Sequence, residues 1–213
     1  TGISPRKRRY YLYLTVYTER VPPFCICMMN AFASFDLSII NALATIRMPV
    51  GVSIFSLITD LGGSVVVIPV TLFVCAIFWY RKEVPFAVGL VASVLTGEVV
   101  KDAIKEIVTR PRPPVALHAV VEDGWSFPSG HATAAVALYG FLIYATWKFA
   151  PAPWRIPLTL LFSAIILLVG FSRMYLGVHY ASDVIGGFAV GAFFLWLGIL
   201  LAKRLSGGDG TRG

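Results

Sequence analysis

Residues Val50–Tyr80 read VGVSIFSLITDLGGSVVVIPVTLFVCAIFWY, an apolar run interrupted by one charged residue, Asp60. A helix that crosses a bilayer needs about 20 predominantly apolar residues, so this stretch holds one crossing with length to spare. Gly62-Gly63 and Pro69 are expected to kink it, and its Met48–Thr59 portion suits an interfacial turn ahead of the crossing. Four further runs of the same character follow, over Val84–Val100, His131–Phe149, Trp154–Phe171 and Val184–Ala202. Composition agrees: 57% of the 213 residues are hydrophobic and 14% are charged, where a soluble domain carries about 25% charge. The mean hydropathy is +0.78. The expected fold is all-α, a polytopic membrane helical bundle with one compact domain over residues 35–204. A basic N-terminal segment with an uncertain first span occupies residues 1–34, and residues 205–213 read as a flexible tail.

The N-terminal stretch Tyr11–Ala33 is apolar on average, but Glu19, Arg20, Pro22 and Pro23 interrupt it. A charge at the bilayer centre costs a few kcal/mol on insertion scales, so hydropathy leaves open a bent crossing or an interfacial helix. Loop charge favours the crossing. Arg81-Lys82, Lys148 with Arg155, and Lys203-Arg204 follow alternate runs and fall on one side, the cytoplasm by the positive-inside rule. The cluster Arg6-Lys7-Arg8-Arg9 joins them only if the N-terminal stretch crosses, which gives six transmembrane helices with both termini inside. Phe35–Arg47 then lies outside, together with the loops Lys101–Gly130 and Ser172–Asp183.

The formal charge of +7 belongs with this membrane asymmetry; no nucleic-acid partner is expected, because no basic patch lies between aromatic residues on a soluble domain. Cys25, Cys27 and Cys75 sit in apolar surroundings and read as small hydrophobes, with neither a disulfide framework nor a metal site. No cofactor is expected. What topology leaves unexplained is the basic charge of the two outer loops, on the side where such residues are disfavoured. That charge points to a site.

Three blocks carry it. The first is Lys105-Glu-Ile-Val-Thr-Arg110-Pro-Arg112-Pro113, the second Pro128-Ser129-Gly130-His131 at the mouth of a helix, and the third Ser172-Arg173-Met-Tyr-Leu-Gly-Val-His179-Tyr-Ala-Ser-Asp183. In these blocks the sequence resembles the type 2 phosphatidic acid phosphatase family, in its compact bacterial form. The family's signatures K-x6-RP, PSGH and SR-x5-H-x3-D are matched without gap or substitution over a chain segment from about Asp36 to Ala202. The resemblance implies a metal-independent lipid phosphatase in which His179 is the nucleophile and Asp183 its orienting partner. It implies also that His131 is general acid to the leaving alkoxide and then base to the hydrolytic water.

The residue types suit that chemistry. Phosphoryl transfer needs positioning and compensation of negative charge on the phosphate oxygens. Lys105, Arg112 and Arg173 supply positive charge, and guanidinium forks favour bidentate phosphate contacts. Ser129 is a good helix N-cap, Gly130 permits close approach of backbone to a ligand, and the N-terminus of the helix that follows attracts anions. His179 and Asp183, four apart, share a face if the last helix begins near Val178. Taken singly, each block has an ordinary structural reading: a basic lipid-headgroup contact, a helix cap, a hydrogen-bonded pair. Two of the chain's three histidines fall at the family's two catalytic positions, and the ordinary readings explain the three blocks together poorly. His118 matches no family position and reads as a solvent-facing loop residue. Glu122, Asp123, Trp125 and Phe127 could shape headgroup access or anchor the loop at the interface.

The expected partners are membrane lipids and a lipid phosphate substrate that reaches the site laterally from the outer leaflet. Phosphatidylglycerophosphate, phosphatidate and undecaprenyl diphosphate are the candidates, and no residue separates a monoester from a diphosphate. The resemblance implies a bacterial plasma membrane, and the parity of the loop charges puts the site on its outer face. Two other readings were weighed: a vanadate haloperoxidase, against which the spans argue, and a lipid-binding or transport protein without turnover, against which the intact catalytic set argues.

Overall fold

The computed structural model describes residues 23–207. Among them the chain is helical, with no strand: α1 (Pro23–Thr45), α2 (Pro49–Asp60), α3 (Ser64–Tyr80), α4 (Val84–Val108), α5 (Gly130–Phe149), α6 (Ala152–Tyr175) and α7 (Ala181–Gly207), with a 3-10 turn at Val115–Leu117. Five stretches are long and apolar enough to cross a membrane: Pro49–Tyr80 taken across its break, and α4 to α7. The Arg6–Arg9 cluster and the first half of the expected Tyr11–Ala33 crossing lie outside the described residues, as do residues 208–213.

One expectation for the N-terminal third needs correction. Met48–Thr59 is not a turn: from Pro49 on it is helix α2, and Pro49 opens it at a position where a missing N–H leaves no intrahelical bond unmade. Phe35–Arg47, expected on the outer side, continues α1 as far as Thr45. The expected kink is real and is a full break at Leu61–Gly63. Gly62 is required there, because a Cβ would lie 2.8 Å from the His131 carbonyl oxygen. Pro69 sits inside α3 without ending it.

The helices run up and down, and their contacts fix the order of the ends. Gly89, early in α4, lies against Gly198, late in α7, while the backbone N–H of Ser129 before α5 donates to the Asp183 carbonyl early in α7 (3.0 Å). Lys203 stands 5.8 Å over the Tyr144 ring, joining the far ends of α7 and α5. One end of the bundle therefore gathers the end of α4 and the starts of α5 and α7; the other gathers Arg81, Lys82, Lys148, Arg155, Lys203 and Arg204.

In lipid, apolar surface gains little by leaving its surroundings, so helices associate through close packing and small residues. A Cβ on Gly89 would come within 2.6 Å of the Gly198 carbonyl, and one on Gly191 within 2.6 Å of the Thr133 carbonyl. Leu90, Leu138, Phe141 and Val169 fill the interior these contacts close, whereas Leu57, Val65, Leu160, Phe193 and Trp196 stay exposed on the outer wall. A belt of that kind suits acyl chains.

Candidate active site

All three blocks meet at one end of the bundle, but each is held differently from the expectation. Lys101–Gly130 is only partly loop. α4 runs on to Val108, so Lys105 sits in its last turn, and Thr109 at φ 47° turns the chain off the helix. Likewise Arg173 is still in α6 and Asp183 is already in α7, which leaves a connection of only Leu176–Tyr180. Gly177 makes so short a turn possible: its φ is 75°, and a Cβ would fall 2.1 Å from the Leu117 carbonyl.

His179 lies in this connection, ahead of α7, so it and Asp183 are not a helical pair on one face. The turn brings them together. Backbone N–H groups of Val178 and His179 donate to the Arg173 carbonyl, and Asp183 Oδ2 accepts the N–H of Tyr180 (2.9 Å). Nδ1 of His179 then stands 3.5 Å from Asp183 Oδ2, an ion-pair distance rather than a formed hydrogen bond. On the other side of the ring, Nε2 lies 3.1 Å from Arg112 Nη1. A guanidinium only donates, so Nε2 is the lone-pair nitrogen and Nδ1 carries the hydrogen that faces Asp183. The imidazole is 1% exposed. Burial, seconded by the facing cations Arg173 and Arg112, brings its pKa down to about 4 against the pull of Asp183. Burial thus favours the neutral ring, with its lone pair aimed at the Arg112 guanidinium.

Arg112 is held by the carbonyls of Gly124, Asp123 and Val178. Arg173, 1% exposed, donates through Nη1 to Thr59 Oγ1 (3.0 Å). Between the two stands Glu122, 2.7 Å from Arg173 Nη2 and 3.6 Å from Arg112 Nη2. Burial acts to raise its carboxyl, but Arg173 and Arg112 outweigh it and hold Glu122 below the usual carboxylate range. An internal carboxylate thus occupies the seat between the two arginines. Lys105 and His131 complete the group: Lys105 is within electrostatic reach of Arg112 and Glu122, and His131 of Arg173, Glu122, His179 and Lys105.

Ser129 precedes α5 but its hydroxyl makes no cap; the buried Oγ has no hydrogen-bond partner. Its backbone does the holding, through Asp183 on one side and Thr133 on the other, after a cis Phe127–Pro128 bond. Gly130 admits the stem of Lys101, 3.0 Å from where its Cβ would stand. His118 is not solvent-facing. It is half-buried, and Nε2 donates to the Pro113 carbonyl (2.9 Å), pinning the loop.

Two residues escaped the sequence reading. Arg110, 5% exposed, extends one nitrogen to Asp183 Oδ1 and the other to Asp36 Oδ2 (2.8 Å). Asp36 comes from α1 and is wholly buried. In the sequence Asp36 stood in a segment assigned to the outer side, with no role given to it; Arg110 stood in plain view beside Arg112 but outside the matched signature.

The sequence matches the PAP2 superfamily over residues 86–206. It is 35% identical over 173 residues to phosphatidylglycerophosphatase B of Bacillus subtilis (strain 168), covering 79% of this chain and 83% of that protein. It is 30% identical over 174 residues to an undecaprenyl-diphosphatase of Sulfolobus acidocaldarius, covering 78% of this chain and 75% of that protein. Its fold superposes on the crystal structure of the transmembrane PAP2-type phosphatidylglycerolphosphate phosphatase from Bacillus subtilis with a TM-score of 0.76 at 30% identity, over 92% of this chain and 94% of that one.

Proposed function

The chain belongs to the PAP2 superfamily, and we propose that it is an integral membrane lipid phosphatase working through a phosphohistidine at His179. The observation that carries this reading is the meeting of the His179 Nε2 lone pair and the Arg112 guanidinium, 3.1 Å apart, with Arg173 within electrostatic reach of the same ring. A phosphate held by Arg112, Arg173 and Lys105 presents its phosphorus to Nε2. The unpaired Ser129 hydroxyl and the free N–H groups at the start of α5 supply further donors.

In the first step a bond forms from Nε2 to phosphorus while the phosphorus–oxygen ester bond breaks, and the departing alkoxide takes a proton from His131. Asp183 supports the positive charge that grows on the imidazole, because Nδ1–H already faces it. In the second step His131 removes a proton from water, the hydroxide attacks phosphorus, and the phosphorus–nitrogen bond breaks to return His179 and inorganic phosphate. The cradle is made of fixed cations, so turnover is expected to persist in a chelator; a strict magnesium requirement would overturn that part of the reading.

The substrate class is a lipid phosphate, with phosphatidylglycerophosphate first among the candidates because the Bacillus subtilis relative and the Bacillus subtilis crystal structure are named for it. Undecaprenyl diphosphate follows, on the same kind of support. The site is assigned to the outer face of a bacterial plasma membrane and the basic end to the cytoplasm, on the positive-inside rule. The proposed topology has six crossings, the first in the N-terminal stretch, whose residues 1–22 lie outside the described residues, and a phosphatase domain over 35–204. The deciding experiment is phosphate release from phosphatidylglycerophosphate, phosphatidate and undecaprenyl diphosphate in detergent, with acid-quenched trapping of phosphohistidine. Turnover of none of the three would sink the assignment.

A further inference from the structure

We propose that Asp36 and Arg110 are positioning residues for the hydrolysis, a buried ion pair that fixes Asp183 and, through it, the His179 imidazole. The proposal rests on the reading of His179 as nucleophile and adds two side chains to it, one of them on a helix that precedes the superfamily match.

The geometry is specific. The Arg110 fork divides: Nη1 reaches Asp183 Oδ1 and the Ser182 hydroxyl, Nη2 reaches Asp36 Oδ2. Asp36 in turn accepts the N–H of Ser182 through Oδ1 (3.0 Å) and the Ser182 hydroxyl through Oδ2. The Tyr180 ring lies under the guanidinium, 4.4 Å from its centre. Asp183 therefore uses its two oxygens differently. Oδ1 is held by Arg110, and Oδ2 is left to Tyr180 N–H and to His179 Nδ1.

Stability alone is a poor reason for such a network. Desolvating buried ions costs several kcal/mol each, and apolar groups of equal volume often serve as well or better. Its position gives a better one, because it stands directly behind the nucleophile. If Arg110 faced Asp183 alone, its whole positive charge would bear on the carboxylate that must steady the imidazolium. Asp36 offsets that charge from the far side. Two carboxylates around one guanidinium leave a net negative charge at the back of His179, while the titratable and charged groups facing the ring are Asp183 from α7, Arg173 from α6, Arg112 from the loop after α4 and His131 from α5. Among the described residues no hydrogen bond or ion pair joins Asp36 to Lys105, Arg112 or Arg173, the proposed phosphate seat.

The test is a kcat, KM and pH series on full-length protein in detergent, using whichever of phosphatidylglycerophosphate, phosphatidate and undecaprenyl diphosphate turns over fastest. Asp36→Asn should lower kcat on the order of tenfold, leave KM within about twofold, and move the acid limb of kcat to lower pH, because the imidazole loses negative support. Arg110→Gln should move that limb the opposite way. A merely structural role would change folding and yield without opposed shifts. Should Asp36→Asn fail to fold, Arg110→Lys carries the test: the charge remains but the fork does not, so kcat should fall on the order of tenfold at unchanged KM. Asp36→Asn or Arg110→Lys within twofold of wild-type kcat, or acid limbs that do not separate, would overturn the proposal. His179→Ala runs alongside. If it stays active, the nucleophile assignment has failed; if it is dead while Asp36→Asn is unimpaired, only the positioning role has failed.

Discussion

At the scale of single residues the site is asymmetric about one imidazole. Its back nitrogen meets a carboxylate and its front nitrogen a guanidinium, so the tautomer is set before any substrate arrives. His179→Ala should therefore bring phosphate release below detection while leaving the protein folded. Asp183→Asn should lose less, on the order of a hundredfold or more, because the nucleophile stays while its orientation and charge support go. Both are read by phosphate release together with a thermal melt in detergent, and an Asp183→Asn variant at wild-type rate would remove the pair. Titration gives a second check. Burial lowers the His179 pKa to about 4, so the neutral, attacking form persists as pH falls through 6.5 and is lost only as pH nears 4. The 15N spectrum of histidine-labelled protein should show this ring neutral at pH 5.5; a midpoint near 6.5 would contradict it.

At the scale of elements, the contact between α5 and α7 holds the Pro128–His131 turn in place. A Cβ on Gly187 would stand 2.6 Å from the Ser129 carbonyl and 2.9 Å from the Ala132 Cβ, whereas one on Gly97 meets nothing nearer than the Thr133 methyl at 3.6 Å. Gly187→Ala should accordingly cost about 1–3 kcal/mol of stability and most of the activity, and Gly97→Ala should cost little of either. Melting temperature and kcat measured on both variants decide it; equal effects would show that the α5–α7 seam does not control the turn. The break at Gly62-Gly63 and the five apolar runs were legible in the sequence, since glycine and hydropathy leave local patterns. Helix ends were less so. Lys105 and Arg173 look like loop residues because they are charged, yet each belongs to a helix turn that reaches past the apolar run. Asp36 was not legible at all as a site residue. Its partners, Arg110 and Ser182, lie 74 and 146 residues away, and an ion pair across such distances has no periodic signature.

At the scale of the molecule, a chain of net charge +7 concentrates cations at both ends of its bundle and treats them differently. At the far end, Lys203 rests over the Tyr144 ring and Arg155 over the Trp147 ring, with no acid opposite either among the described contacts. At the catalytic end, Glu122 is set among Lys105, Arg112 and Arg173. Replacing it tests its place there: Glu122→Gln should tighten inhibition by orthophosphate and by vanadate severalfold, on the scale of one partly buried ion pair, and an unchanged inhibition constant would show that it does not compete for the seat. The resting enzyme is on this account an ion exchanger, with a resident counter-ion tethered to its own loop. On the proposed reading an arriving phosphate trades places with that carboxylate. A tethered competitor of this kind would weaken the hold on substrate and product alike, and so would favour the release of inorganic phosphate.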